Sequence, residues 1–180
     1  MRIFINADIE EAACMAWVRE IIATTDRNVY IYIDSEGGHI ESALHFASFL
    51  RTCHHHVVTV VTGSCMSAAM VILAAGAERF AIPEASLMLH PVGYGEGSEE
   101  VLNQYEMKAL AADAEEFDEI IYKASIRGSS LSLRTVVKKI EEAESNEWEF
   151  TAKEALQWNI ITSIGIPFEM PGTMLDTGGK

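Results

Sequence analysis

The stretch Asn28-Val29-Tyr30-Ile31-Tyr32-Ile33-Asp34-Ser35-Glu36-Gly37-Gly38-His39-Ile40 decides the fold. Residues 28–33 are mostly β-branched and aromatic, the composition of a strand. Residues 34–38 are turn formers, and residues 40–50 carry apolar side chains at helical spacing. A strand that turns through paired glycines into a helix is the half-unit of an α/β fold with a largely parallel sheet.

The same alternation continues on both sides. Residues 2–5 read as a strand and 9–24 as a helix, with Ala12, Trp17, Ile21 and Ile22 as its core positions. A strand at 57–61 leads into a helix at 67–75, and short strands at 79–82 and 87–89 flank the turn Pro83-Glu84-Ala85. A long helix is predicted over about 98–126, broken by Gly128-Ser129-Ser130, with a second helix over 133–143. Thr151 with Glu154 three residues on is a capping box opening a short helix to 158, and 160–164 reads as a last strand. Residues 1–168 form a single domain, and 169–180 a flexible C-terminal tail. Open sheets of this kind place their sites at the carboxyl ends of strands, where Gly37, Gly38 and Ser67 all fall.

Bulk composition narrows the function. The chain has 180 residues, 49% of them hydrophobic, which suits one domain with a real core. A formal net charge of −14 argues against nucleic acid and against anionic membrane surfaces. Cys14, Cys53 and Cys65 make an odd, unpaired set, as expected in a reducing compartment. No signal region opens the chain, and its longest apolar run, 68–77, is too short to span a bilayer. The expectation is a cytoplasmic protein without a membrane segment.

Three segments could carry chemistry together. Ser67, in Gly63-Ser64-Cys65-Met66-Ser67-Ala68-Ala69, sits at the start of an apolar helix, where free N–H groups favour an oxyanion. It could equally be an ordinary helix cap, and Ser64 competes with it from the preceding loop. His90 closes an apolar strand before Pro91 and has the basicity to take a serine proton near neutral pH, or it is a structural histidine. Gly37-Gly38 could present a backbone N–H to an oxyanion or serve as a steric turn. Neither a G-x-G-x-x-G nor a G-K-[ST] element is present, so no cofactor is expected. The adjacent histidines 54, 55 and 56 alternate in direction and cannot converge on a metal. The acidic run Glu141, Glu142, Glu144, Glu147, Glu149 reads as a solvated face, one member of which could orient His90. Tyr105, Met107, Leu110, Phe117, Ile120, Ile121 and Tyr122 give the long helix an apolar stripe suited to an oligomer interface.

At these residues the chain resembles the Clp protease proteolytic subunit (ClpP) family of self-compartmentalising serine peptidases. The family's strand and S-P-G-G-x-[VI] element matches residues 30–40, with Glu36 in place of the proline. Its G-x-x-x-S element matches Gly63 to Ser67, its R-[YF]-A-x-P…H element matches Arg79 to His90, and its [ST]-A-x-E-A element matches Thr151 to Ala155. The resemblance implies a ClpP/crotonase-type fold with a protruding handle helix over about 98–126. It implies Ser67 as nucleophile, His90 as general base, and the amides of Gly38 and Ala68 as oxyanion hole. The third triad position falls on Glu147, with Asn146 beside it as the alternative. It further implies homo-oligomeric heptameric rings stacked into a tetradecamer that hydrolyses peptides or unfolded polypeptides. The chain begins almost at its first strand, so docking to an ATP-dependent unfoldase is not expected. Two other readings remain open: a catalytically inactive structural or regulatory ring subunit, and an acyl-CoA enzyme of the related crotonase fold.

Overall fold

The computed structural model describes residues 1–92 and 104–167, with side chains in the second span from residue 114 onward. The alternation seen in the sequence holds. Strand β1 (Arg2–Ile5) leads to helix α1 (Glu11–Ala23), β2 (Asn28–Ser35) to α2 (Ile40–Thr52), and β3 (His56–Met66) to α3 (Ala68–Leu73). Then come β4 (Glu78–Ala81), β5 (Ser86–Leu89), the long helix α4 (Gln104–Ser125) and α5 (Leu133–Glu142). The chain closes with β6 (Trp148–Thr151), α6 (Ala152–Gln157) and β7 (Ser163–Ile164). The predicted start of the long helix near 98 and the tail 169–180 lie outside the described residues.

One sheet runs in the order β1-β2-β3-β4-β7, with every one of these pairs parallel. β5 adds in parallel to the far end of β3, and β6 adds antiparallel to β5. The β-rich run at 29–33 has no polar alternation because both its faces are covered. On one side Ile31 and Ile33 join Ile21, Phe46, Leu50, Ile72 and Leu87 in the main core. On the other, Tyr30 and Tyr32 join Val58, Val60 and the half-buried Phe80. Within α1 the buried positions are Cys14 and Ile21, with Trp17 packed against the core. Ala12 and Ile22, expected inside, are exposed. The buried face follows the 14–17–21 spacing, and Ile22 lies about 100° around the helix from it.

Two locks hold the C-terminal part in place. The buried Arg79 guanidinium donates to the carbonyls of Gly76, Asn159 and Ile160 at 3.2, 3.1 and 2.7 Å, tying β4 to the turn after α6. The capping box forms as read: Thr151 N–H donates to Glu154 Oε2 at 2.9 Å, and Glu154 N–H to Thr151 Oγ1 at 3.3 Å.

β6 differs from the expectation. Residues 141–149 read as a uniformly solvated acidic face, yet Trp148 and Phe150 are buried while Glu149 and Thr151 point out. The two rings meet at a tilt with centroids 4.6 Å apart, and Trp158 joins them. The acidic residues mask a short strand of period two. The apolar stripe of α4 also differs from a purely external one. Ile121 and Tyr122 are buried in the chain's own core and Phe117 is half-buried, while Ile120 stays 42% exposed. The side chains of Tyr105, Met107 and Leu110 lie outside those described.

Candidate active site

Ser67 is the single residue between β3 and α3, and the chain reverses there with φ 52° and ψ −122°. A non-glycine residue in that region costs on the order of 1–3 kcal/mol. Its N–H donates to Met88 O and its carbonyl accepts from Met70 N–H, both at 3.0 Å. It occupies the N-cap position of α3, but its hydroxyl makes no capping hydrogen bond. The structure therefore holds the backbone in a strained turn without using the side chain. α3 has only six residues, so the adjacent Ala68 amide matters more here than any helix dipole.

The glycine turn packs directly on this corner. Gly37 has φ 115°, and a Cβ on it would come within 2.8 Å of Ser67 Cβ and 2.9 Å of Met66 O. Gly38 has φ 133°, and a Cβ there would meet Ile9 N and O at 2.6 Å. Its flanks are pinned, since Ile9 N–H donates to Gly37 O and His39 N–H to Ile9 O, each at 2.7 Å. In such a parallel bridge Gly38 itself turns its own N–H away from Ile9. Ser35, buried below, accepts the Gly37 N–H at 3.2 Å and donates to Ala7 O at 2.8 Å.

His90 leaves the end of β5 half-buried. β3 and β5 are parallel with Met66 opposite Met88, so Ser67 and His90 emerge from neighbouring strands at the same sheet end. Ser64, the rival serine, lies within β3 and not in a loop, its N–H donating to Asp34 Oδ1 at 2.8 Å. β2 and β3 slip register here, with Ile33 opposite Val61 and Ser35 opposite Cys65. Gly63 leaves the room that the Asp34 carboxylate fills.

Glu147 lies one residue before Trp148, which pairs with Leu89 across the β5–β6 ladder. It is exposed, its Oε2 accepts the Ser145 hydroxyl at 3.4 Å, and it borders a surface depression with Lys139, Glu142 and Trp148. Asn146, at φ 56°, lines a different pocket of about 440 Å³ together with Pro91 and Asp118. Asp118 had no signal in the sequence. It sits on α4 and accepts the Val92 N–H on Oδ1 at 2.6 Å, across 26 residues of chain. Burial pushes its carboxyl above the ordinary range, opposed by the Val92 hydrogen bond and the charge of His90.

Of the three adjacent histidines, His54 and His55 do not alternate in direction as expected: their rings lie against each other with centroids 3.9 Å apart. His55 Nδ1 lies 2.7 Å from Asp26 O, and His56 Nε2 lies 2.7 Å from Glu78 Oε1. Cys65 is buried beneath Ser67, and burial drives its thiol pKa well up, which leaves it inert as a nucleophile.

Known proteins resemble this chain along nearly its whole length. The family model described as Clp protease matches residues 1–167. The ATP-dependent Clp protease proteolytic subunit 2 of Leifsonia xyli subsp. xyli is 27% identical over 173 residues, covering 90% of this chain and 73% of the relative. The protein of the same name from Thermobifida fusca is 25% identical over 187 residues, covering 99% and 84%. Among solved structures, a ClpP1 mutant from Listeria monocytogenes superposes with a TM-score of 0.77. It covers 93% of this chain and 92% of its own at 19% identity, a likeness of fold. No described helix is long and apolar enough to cross a membrane.

Proposed function

Because the chain belongs to the Clp protease family, we propose that it is a serine endopeptidase hydrolysing peptides or unfolded polypeptides. Ser67 is the nucleophile and His90 the general base. The hydroxyl attacks the scissile carbonyl as the imidazole takes its proton, and the imidazolium then returns that proton to the leaving amine. The amides of Gly38 and Ala68 hold the tetrahedral oxyanion; preorganised backbone donors of this kind are worth about 10²–10³-fold each. Glu147, which the resemblance puts at the third triad position, is exposed with its Oε2 on the Ser145 hydroxyl and takes no part in this proton transfer.

The observation that carries this reading is the backbone of Ser67: a positive-φ corner at a strand end, on a glycine, with a hydroxyl free of capping duty. Natural chains keep such strain where the side chain must be presented. The test is the intact mass of the protein after incubation with a fluorophosphonate, with Ser67→Ala as control. One adduct per chain, lost in the variant, supports the peptidase; no adduct on the folded wild type refutes it.

A second reading is an inactive structural or regulatory ring subunit. It is favoured by the Glu147 carboxylate, whose partner is Ser145. Assembly in either case proceeds through α4 into homo-oligomeric rings, proposed as heptamers stacked in pairs. The exposed apolar Ile120 on α4 supports that interface.

A further inference from the structure

We propose that Asp118, on the long helix α4, is the carboxylate that positions His90 and balances its charge when it accepts the Ser67 proton. This deepens the serine-peptidase reading and rests on it.

β5 ends at Leu89, so residues 90–92 lie beyond its ladder, and Pro91 has no N–H to give. Val92 N–H is the donor that fixes this exit, and its acceptor is Asp118 Oδ1 at 2.6 Å. A hydrogen bond to a carboxylate is strengthened by its charge. This bond holds a carboxylate two residues past the imidazole, on an element packed against the core through Ile121 and Tyr122. A flexible loop would hold it less firmly. Pro91, Asp118 and Asn146 then line one pocket with Tyr122, Leu133 and Ile140.

The electrostatics point the same way. The charge of His90 opposes the burial that raises the Asp118 carboxyl. Other acids stand nearby. Glu115 lies one turn earlier on α4, Glu119 is paired with Lys123, Glu141 lies on α5, Glu147 precedes β6 and Glu149 lies within it. Among the described residues Asp118 is the acid bonded to the histidine's own strand exit, whereas Glu147 is exposed and takes Ser145. Asp118 thus acts through His90, as a positioning residue.

The experiment compares wild type, Asp118→Asn and Glu147→Gln, with Ser67→Ala as the inactive control. An asparagine side chain still accepts the Val92 N–H, so folding is retained while the charge is lost. Peptide hydrolysis by Asp118→Asn should fall by about a hundred-fold or more in kcat with KM little changed. The acid limb of its kcat/KM profile should move to lower pH, because the imidazolium has lost a stabilising anion. The NMR titration midpoint of His90, assigned with His90→Gln, should move the same way without reference to turnover. Glu147→Gln should stay near wild type in all three readouts. An unmoved His90 midpoint in Asp118→Asn, or the loss falling on Glu147→Gln instead, overturns the inference. A wild type with no hydrolysis and no fluorophosphonate adduct sinks the peptidase reading instead, while the titration still decides whether Asp118 governs His90.

Discussion

Gly37 and Ser67 are in van der Waals contact so close that a methyl group on the glycine would lie 2.8 Å from the serine's Cβ. Two segments that turn at strand ends, β2 and β3, therefore fix each other's conformation. The serine can hold its positive φ because nothing but hydrogen projects from the residue facing it.

Gly37→Ala should for this reason damage both folding and chemistry. The new methyl meets Met66 O as well as Ser67, and the backbone φ of 115° suits no L side chain. The expected cost is about 2–4 kcal/mol, seen as a lower denaturant midpoint, together with loss of fluorophosphonate labelling. Labelling at the wild-type rate would show that the corner does not depend on this contact.

Replacing Ser67 should separate stability from activity. Ser67→Gly removes the hydroxyl and relieves the positive φ of 52°. The variant should be more stable than Ser67→Ala by roughly 1 kcal/mol, since glycine takes this conformation at little cost. Both should lose peptide hydrolysis by about 10³-fold or more. Thermal unfolding of the two variants side by side checks the first part and a peptide assay the second.

Arg79→Leu should be among the most destabilising changes outside the site. It leaves the carbonyls of Gly76, Asn159 and Ile160 without their donor in a buried place. A loss of about 2–4 kcal/mol is expected. A midpoint within about 0.5 kcal/mol of wild type would mean that water replaces the guanidinium there.

The capping box sets an acid-sensitive contribution. The backbone N–H of Thr151, and after it the Thr151 hydroxyl, hold the Glu154 carboxyl below its ordinary range. A depressed folded pKa means stability that is fully present above the unfolded value, about 4.3, and lost as pH falls through the folded one. Glu154→Gln keeps an acceptor but not the charge, so it should cost about 0.5–1 kcal/mol at pH 7. The gap from wild type should close by pH 3, and a gap independent of pH would contradict the assignment.

The parts of this molecule that could be read from the chain are those whose cause is local. The run 28–33 followed by paired glycines specifies a strand, a turn and a helix within a dozen residues, and the structure keeps all three. Thr151 and Glu154 are likewise neighbours whose bonds need nothing distant. Where the cause is distant the sequence is silent. Trp148 and Phe150 become a strand only because β5 lies beside them, and the surrounding glutamates hide their alternation. β3 continues through Gly63 to Met66, past an apparent turn signal, because the Asp34 carboxylate fills the space that the glycine leaves. Asp118 and Val92 meet across 26 residues, and no spacing rule announces such a pair. Within the candidate site, the chain indicated Ser67 and His90 by residue type and strand position. The acid near His90 had to be located by packing.

β3 leads a double life along its length. Residues 58–61 pair with β4 in the body of the sheet, while 64–66 pair with β5 and, through it, with β6. Framework and candidate site are thus two ladders spliced onto one rail. The outer ladder hangs from the frame by three residue pairs, Ser64–Ser86 to Met66–Met88. β6 pairs with β5, the strand that ends one residue before His90, whereas Gly37 follows β2 on the other side of β3. The spacing of imidazole and hydroxyl is accordingly the site dimension most exposed to whatever a neighbouring molecule does at that edge.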